Sequence, residues 1–327
     1  MNIKKFIGDK AFYKMTLAVA LPIMAQNFIT NFVSMLDNIM VGALGTEQMS
    51  GVSIVNQLFF IFNLAIFGAL SGAGIFTAQF YGKNDIDGIR FTVRFKMIIS
   101  LLIFSIGTII FLIFDDRLIG LFIHDADPSC DIEATMDFAK NYLKVILLGL
   151  LPFTVSQAFS STLRETGETM TPMLAGLAAV AVNCTFNYLL IFGKFGFPQL
   201  GTIGAAVATV MSRYVECAVI VIYSLAKHKR FPYFKGAFKS PYIPRNLFLG
   251  IIKKGMPLLM NEFLWSTGMS LLSVAYSLHG LSVVAGYSIS STVINLANIA
   301  FLALGSSIGI IVGKQLGSGD FDKAVDT

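Results

Sequence analysis

One stretch constrains this chain more than any other. Lys14 to Gly45, KMTLAVALPIMAQNFITNFVSMLDNIMVGALG, is a mostly apolar run with a single carboxylate, Asp37, set inside it. A helix of that length crosses a bilayer, which takes roughly 20 apolar residues at ~1.5 Å each. Asn27, Thr30, Asn31, Ser34, Asp37 and Asn38 recur every three or four positions, so they share one face, turned away from lipid. An acid inside a span costs at least ~2.5 kcal/mol on insertion scales. It therefore marks either a functional site or a pairing with a neighbouring helix.

The rest of the chain agrees with that reading. With 55% hydrophobic and 13% charged residues and a mean hydropathy of +0.73, it is far from a soluble domain, in which about a quarter of residues are charged. Apolar runs fall at about 15–42, 50–78, 93–114, 140–162, 171–193, 203–226, 256–278 and 284–312. They are too long and too weakly alternating for a transmembrane barrel. The expected fold is an all-α polytopic membrane protein with eight crossings. The first run follows Lys4, Lys5, Lys10 and Lys14 but is too long for a signal peptide and is read as a retained helix.

The net charge of +5 is decided by where the charges sit. With the N-terminus cytoplasmic, most of the 24 Lys and Arg residues fall on inner connections, including Lys83, Arg90, Arg94, Lys96 and the group from Lys227 to Lys254. The outer connections carry acids such as Asp115, Asp116 and Asp131. This bias fixes an N-in orientation with eight crossings, in a multi-pass protein expected in the plasma membrane, and the basic surplus faces cytoplasmic lipid headgroups with no nucleic-acid partner needed. Cys130, Cys184 and Cys217 lack metal or redox spacing. No ligand set surrounds His124, His228 or His279, and no phosphate-cradling glycine loop is present, so an enzyme is disfavoured.

Residues 227–254, basic and holding Pro232, Pro241 and Pro244, read as a cytoplasmic linker between two lobes: 1–226 with six transmembrane helices and 255–327 with two. A shift of 235 pairs Pro22 with Pro257, Phe28 with Phe263, Gly45 with Gly280, Asn63 with Asn298, Gly74 with Gly309, Gly82 with Gly317 and Asp85 with Asp320. Matched Gly, Pro, Asn and Asp mark a true internal repeat. Both copies begin with a basic lead, so the repeat is parallel. Six helices separate the two starts, which leads us to expect a chain that stops about four helices short of a full second copy.

LPIMAQNFITNFVSMLDNIMVGALG, NQLFFIFNLAIFGALSGAGIFTAQFYGKND, STLRETGETMTPM, NCTFNYLLIFGKFG and GTIGAAVATVMSR together resemble the multidrug and toxic compound extrusion (MATE) family, NorM-like branch, in order along essentially the whole chain. The resemblance implies a MATE-type bundle: a complete six-helix N-lobe plus the first two helices of a parallel-repeat C-lobe. It implies an antiporter, expected to be a monomer, that exchanges Na⁺ or H⁺ for small organic, often cationic, drugs or metabolites by alternating access, with no cofactor beyond the coupling ion. Position by position it assigns cation coupling to Asp37, Asn183, Asn187 and Thr209, and in the second lobe to Glu262. A Na⁺ ion would sit at Asp37, Asn183 and Asn187. Their carboxylate and amide oxygens suit a hard alkali cation, and a lone carboxylate holds a proton equally well.

Asn27, Ser34, Gln57, Asn63 and Gln157 are weaker candidates for lining a substrate cavity, since interhelical hydrogen bonding uses the same side chains. Arg213 and Glu216, three apart, read as a mutually neutralising pair. Two alternatives remain open: a flippase-like transporter of lipid-linked saccharides, which would want several cationic side chains in the cavity, and a truncated exporter fragment without activity.

Overall fold

In a computed structural model of the chain, residues 10–122, 131–277 and 281–326 are described; they are helical almost throughout, with no β-strand among them. The helices are α1 (Lys10–Gly42), α2 (Thr46–Gly82), α3 (Ile86–Ile113), α4 (Asp115–Gly120), α5 (Ile132–Ile146), α6 (Leu150–Glu165), α7 (Met170–Phe192), α8 (Thr202–Ala226), α9 (Arg245–Ser277), α10 (Leu281–Ser318) and α11 (Phe321–Asp326). A 3-10 turn at Leu147–Gly149 joins α5 to α6. Among the described residues seven stretches are long and apolar enough to cross a membrane, the last of them Ala297–Ser318. The run expected at 256–278 lies on α9 but is not one of the seven. That helix carries Arg245, Lys253, Lys254 and Glu262.

The helices outrun the apolar runs at their polar ends. α5 begins at Ile132, where Asp131 accepts a hydrogen bond from the Ala134 N–H at 3.1 Å, and α3 at Ile86, where Asp85 accepts from the Gly88 N–H at 2.8 Å. Such caps satisfy backbone donors that hydropathy does not register. Lys96, expected among the inner-surface charges, is instead wholly buried on α3. It is ion-paired with Glu165 of α6, and its ammonium lies 3.3 Å from the Thr162 hydroxyl. A lone ammonium there would be prohibitive; pairing makes it tolerable.

The repeat is visible in the backbone. Shifted by 235, α1 coincides with α9 at both ends, and Pro22 and Pro257 fall at equivalent sites inside them. α2 coincides with α10 to within one residue. The turn after each is built alike. Asn84 and Gly319 take positive φ values of 58° and 83°. The amides of Asp85 and Asp320 reach back to the Phe80 and Gln315 carbonyls at 2.9 and 3.1 Å.

The two copies meet through these same ends. A Cβ on Gly82 would collide with the Lys314 carbonyl oxygen and one on Gly317 with that of Gln79, residues related by the same shift. Gly313 stands against its own counterpart, Ala78. Only glycine lets backbones approach this closely. Reciprocal contact of this kind is what a two-fold relation between the copies produces.

The segment expected as a linker is pinned to the first copy. The Phe234 ring stacks on Phe159 of α6 with centroids 4.7 Å apart, and the Tyr233 hydroxyl pairs with the Thr166 hydroxyl at 2.8 Å. Arg94 of α3 donates to the carbonyls of Gly236, Ala237 and Tyr242, and Arg90 to that of Pro232. Arg230 pairs with Glu168 at 2.5 Å. Burial pushes the Tyr233 phenol above the ordinary tyrosine range, so it stays neutral.

Candidate functional site

α1 packs on α7, and α7 on α8, and this places three polar positions together. Asn183 and Asn187 are one turn apart on α7 and therefore share a face; they are 5% and 1% exposed. The Asn187 amide donates to an Asp37 carboxylate oxygen at 2.5 Å. The Asn183 amide has two orientations of the same shape. With its nitrogen toward Asp37 it lies 3.0 and 3.2 Å from the two carboxylate oxygens, while its oxygen accepts from the Thr209 hydroxyl at 3.2 Å. With its oxygen toward Asp37 it instead donates to Thr209 and accepts from Asn187, each at 3.2 Å.

The second orientation sets an amide oxygen against a carboxylate, an arrangement that a proton or a cation between them relieves. Oδ1 of Asn187, whose nitrogen is the atom turned to Asp37, is buried and has no hydrogen-bond partner among the described residues. One carboxylate, two carboxamides and a hydroxyl thus meet here. That donor set suits a hard cation, with no soft or imidazole ligand.

The group opens on a cavity of about 340 Å³, the size of a small-molecule site. Asp37, Asn187, Thr209 and Asn63 line it; Asn183 stands behind them. Asn27 is half-buried on α1, Gln57 is exposed on α2 and Gln157 is half-buried on α6, and none of the three lines the cavity. The Ser34 side chain lies outside the described residues. Glu262 is half-buried on α9, away from this cavity, and no described residue pairs with its carboxylate.

The structure adds residues that sequence reasoning passed over. Asn56 faces the cavity where Gln57 does not; one residue is ~100° of helix, and apolar runs alone do not fix that phase. Tyr142 of α5 is buried, hydrogen-bonded to Thr209 and lines the wall. Arg213 pairs with Glu216 at 3.2 Å as expected, yet it also lines the cavity and lies over the Phe153 ring at 5.0 Å. A charge inside a span was the available signal. Cys184 and Cys217 are both free thiols, and the described residues hold no cluster of three or more metal-binding side chains of His, Cys, Asp or Glu type.

Comparison with known proteins bears on the whole arrangement. The family model described as MatE matches residues 22–189 and 257–327. A probable multidrug resistance protein NorM of Thermotoga maritima is 31% identical over 310 residues, which cover 94% of this chain and 64% of that one. The probable multidrug resistance protein YoeA of Bacillus subtilis is 25% identical, covering 92% and 64%. The chain thus spans about 64% of the length of these relatives. A crystal structure described as MATE in the straight conformation superposes with a TM-score of 0.83 at 21% identity, over 95% of this chain and 67% of that one. An outward-facing multidrug resistance MATE family transporter of the MOP superfamily gives 0.82 at 21% identity, over 95% and 66%. At such identities the likeness is one of fold.

Proposed function

The chain belongs to the MatE family, a family of transporters rather than of enzymes, and from that premise we propose that it serves as a cation-coupled exporter of small organic, often cationic, compounds. In this reading Asp37 exchanges Na⁺ or H⁺ for substrate by alternating access, with Asn183, Asn187 and Thr209 completing its ion shell and Glu262 acting in the second lobe. The protein sits in the plasma membrane with its N-terminus cytoplasmic, and a single copy suffices. Lobe boundaries fall at 226 and 255, on either side of the pinned 227–244 segment and the charged start of α9.

The observation that carries this is the Asp37 carboxylate set inside a span on the wall of a cavity, met by two nearly fully buried carboxamides. A carboxylate held there among amides and a hydroxyl is a group that a cation or a proton satisfies. The energetics suffice: one charge crossing ~100 mV supplies ~2.3 kcal/mol, enough for a roughly fortyfold substrate gradient. A flippase of pyrophosphate-linked sugars finds less support, since the cavity offers one guanidinium, already paired with Glu216.

The test is ethidium efflux from cells expressing the full reading frame, wild type against Asp37→Asn, under imposed Na⁺ or pH gradients. Wild type should respond to one of the two gradients and the variant to neither. Undiminished, gradient-driven efflux in the variant would remove Asp37 from the mechanism.

A further inference from the structure

We propose that the cytoplasmic foot of α3 carries a site for the headgroup of an anionic phospholipid. Lys235, Lys239 and Arg245 form its basic rim, and the outward face of α3 forms the wall for the acyl chains. The inference needs only that the chain spans a membrane, and it stands apart from the exporter reading.

One side chain gathers the rim. Arg94 of α3 donates to the carbonyls of Gly236, Ala237 and Tyr242, so a single guanidinium draws both ends of that run to one point. Lys235 borders the first of these carbonyls. Lys239 closes the 3-10 turn Ala237–Lys239, which packs on α3, and Arg245 opens α9 just beyond the last. All three side chains are exposed. Backbone tied in this way cannot swing its cations apart into water, as a solvated loop would.

Charge balance identifies the occupant. No Asp or Glu falls between Glu216 and Glu262. None of Arg94, Lys235, Lys239 and Arg245 has an ion-pair partner among the described residues. Arg94 spends its donors on carbonyls, which carry no net charge, so its positive charge adds to that of the rim. Like charges held near one another repel, and a counter-anion relieves them.

The surroundings select an amphiphile over a soluble ion. Phe238 and Tyr242, beside the rim, are 52% and 64% exposed, and aromatic rings settle at headgroup level. One turn from Arg94 toward the bilayer, Ile98 is exposed on α3, followed by Leu101 and Leu102. A basic cluster set against the cytoplasmic end of a span is the pattern that anionic lipids recognise. Positive-inside bias places cations along this whole leaflet; the Arg94 tie concentrates these on one spot. A headgroup held by Lys239 and Arg245 together also bridges the first copy to the start of the second.

The test puts a reporter on the acyl wall. The full chain carrying Ile98→Trp, with its one native tryptophan removed by Trp265→Phe, is reconstituted in vesicles of phosphatidylglycerol and phosphatidylcholine, one or the other brominated. Quenching shows which lipid lies against position 98. Phosphatidylglycerol should be preferred by roughly fivefold, the worth of one basic side chain at a headgroup, and high salt should shrink that preference. Lys235→Gln/Lys239→Gln/Arg245→Gln should erase it while phosphatidylcholine quenches as before, and Lys235→Arg/Lys239→Arg/Arg245→Lys should keep it. Lys10→Gln/Lys14→Gln/Lys83→Gln removes as much exposed charge from the same leaflet and should leave it intact. No preference in the parent protein, or equal loss in the two Gln triples, overturns the site. A preference that high salt does not move overturns it as well, and that arm decides even where the first Gln triple does not fold. Absence of lipid preference combined with binding of a fluorescent polyglutamate peptide overturns it in favour of an acidic protein partner.

Discussion

α1 and α9 are the same helix laid down twice, and they differ in where the acid stands. Asp37 occupies the position that holds Leu272 in the second copy, and Glu262 the position that holds Asn27 in the first. Ten residues of helix separate the two acids in register, ~15 Å along the axis. The backbones agree down to the turn hydrogen bonds at Asp85 and Asp320, yet the charges do not. The duplicated architecture is held by glycine contacts, which tolerate no side chain. The ion chemistry proposed for each acid depends on its neighbours, and among the described residues only Asp37 has them: α7 and α8 stand behind it, whereas Glu262 has no paired group among those residues.

Exchanging residues between the copies tests that separation. The largest effect is expected from Asp37→Leu, which writes the second copy's residue into the first. Na⁺ or pH dependence of ethidium binding, read by anisotropy, should fall more than tenfold, and Leu272→Asp in the same background should not restore it, because no amide shell surrounds that position. Recovery in the double variant would show that the surrounding shell is dispensable.

Next come the reciprocal glycines. Gly82→Ala and Gly317→Ala each force a methyl against a carbonyl of the other copy, and overpacking of this kind costs ~1–3 kcal/mol. Thermal unfolding in detergent should show like losses for the two; tolerance of one alone would break the twofold relation. At the turns the copies should diverge. Gly319→Ala puts a β-carbon at a φ of 83° and should cost ~1–2 kcal/mol. Asn84→Gly should change stability by only a few tenths of a kcal/mol, since asparagine already accepts that conformation. Lys314→Gln, which copies Gln79, should have an effect between those two. The Lys314 ammonium lies 4.7 Å from the Tyr81 ring centroid, a contact worth ~0.5–1 kcal/mol, and the same unfolding curves should register its loss.

How far the sequence alone reached follows from which forces leave a local trace. Long apolar runs announced the spans, and the offset pairs of Gly, Pro, Asn and Asp announced the repeat, because close backbone contact and helix interruption restrict residue identity. Helix starts such as Ile132 and Ile86 escaped, since a cap made by Asp131 or Asp85 is not hydrophobic. In the site, Asp37 stood out from its burial in a run, and Asn183, Asn187 and Thr209 came through resemblance to the MATE family. Tyr142 left no mark, because a tyrosine in an apolar run looks like packing until its hydroxyl is seen beside Thr209. Arg213 was visible as a charge, but its nearest acid in sequence, Glu216, masked the cavity it also faces.

The pinned segment between the copies has a consequence for motion. Arg94 holds the chain as far as the Tyr242 carbonyl, and α9 begins at Arg245. Only Ile243 and Pro244 separate that tie from the next rigid rod, a leash that fully stretched spans ~10 Å. The foot of the rod is tied as well, by the Phe248 ring against Phe95 and by Gly255 abutting Gly72. The foot of α9 therefore moves with the first copy, and any displacement of the second has to tilt or bend the rod above it.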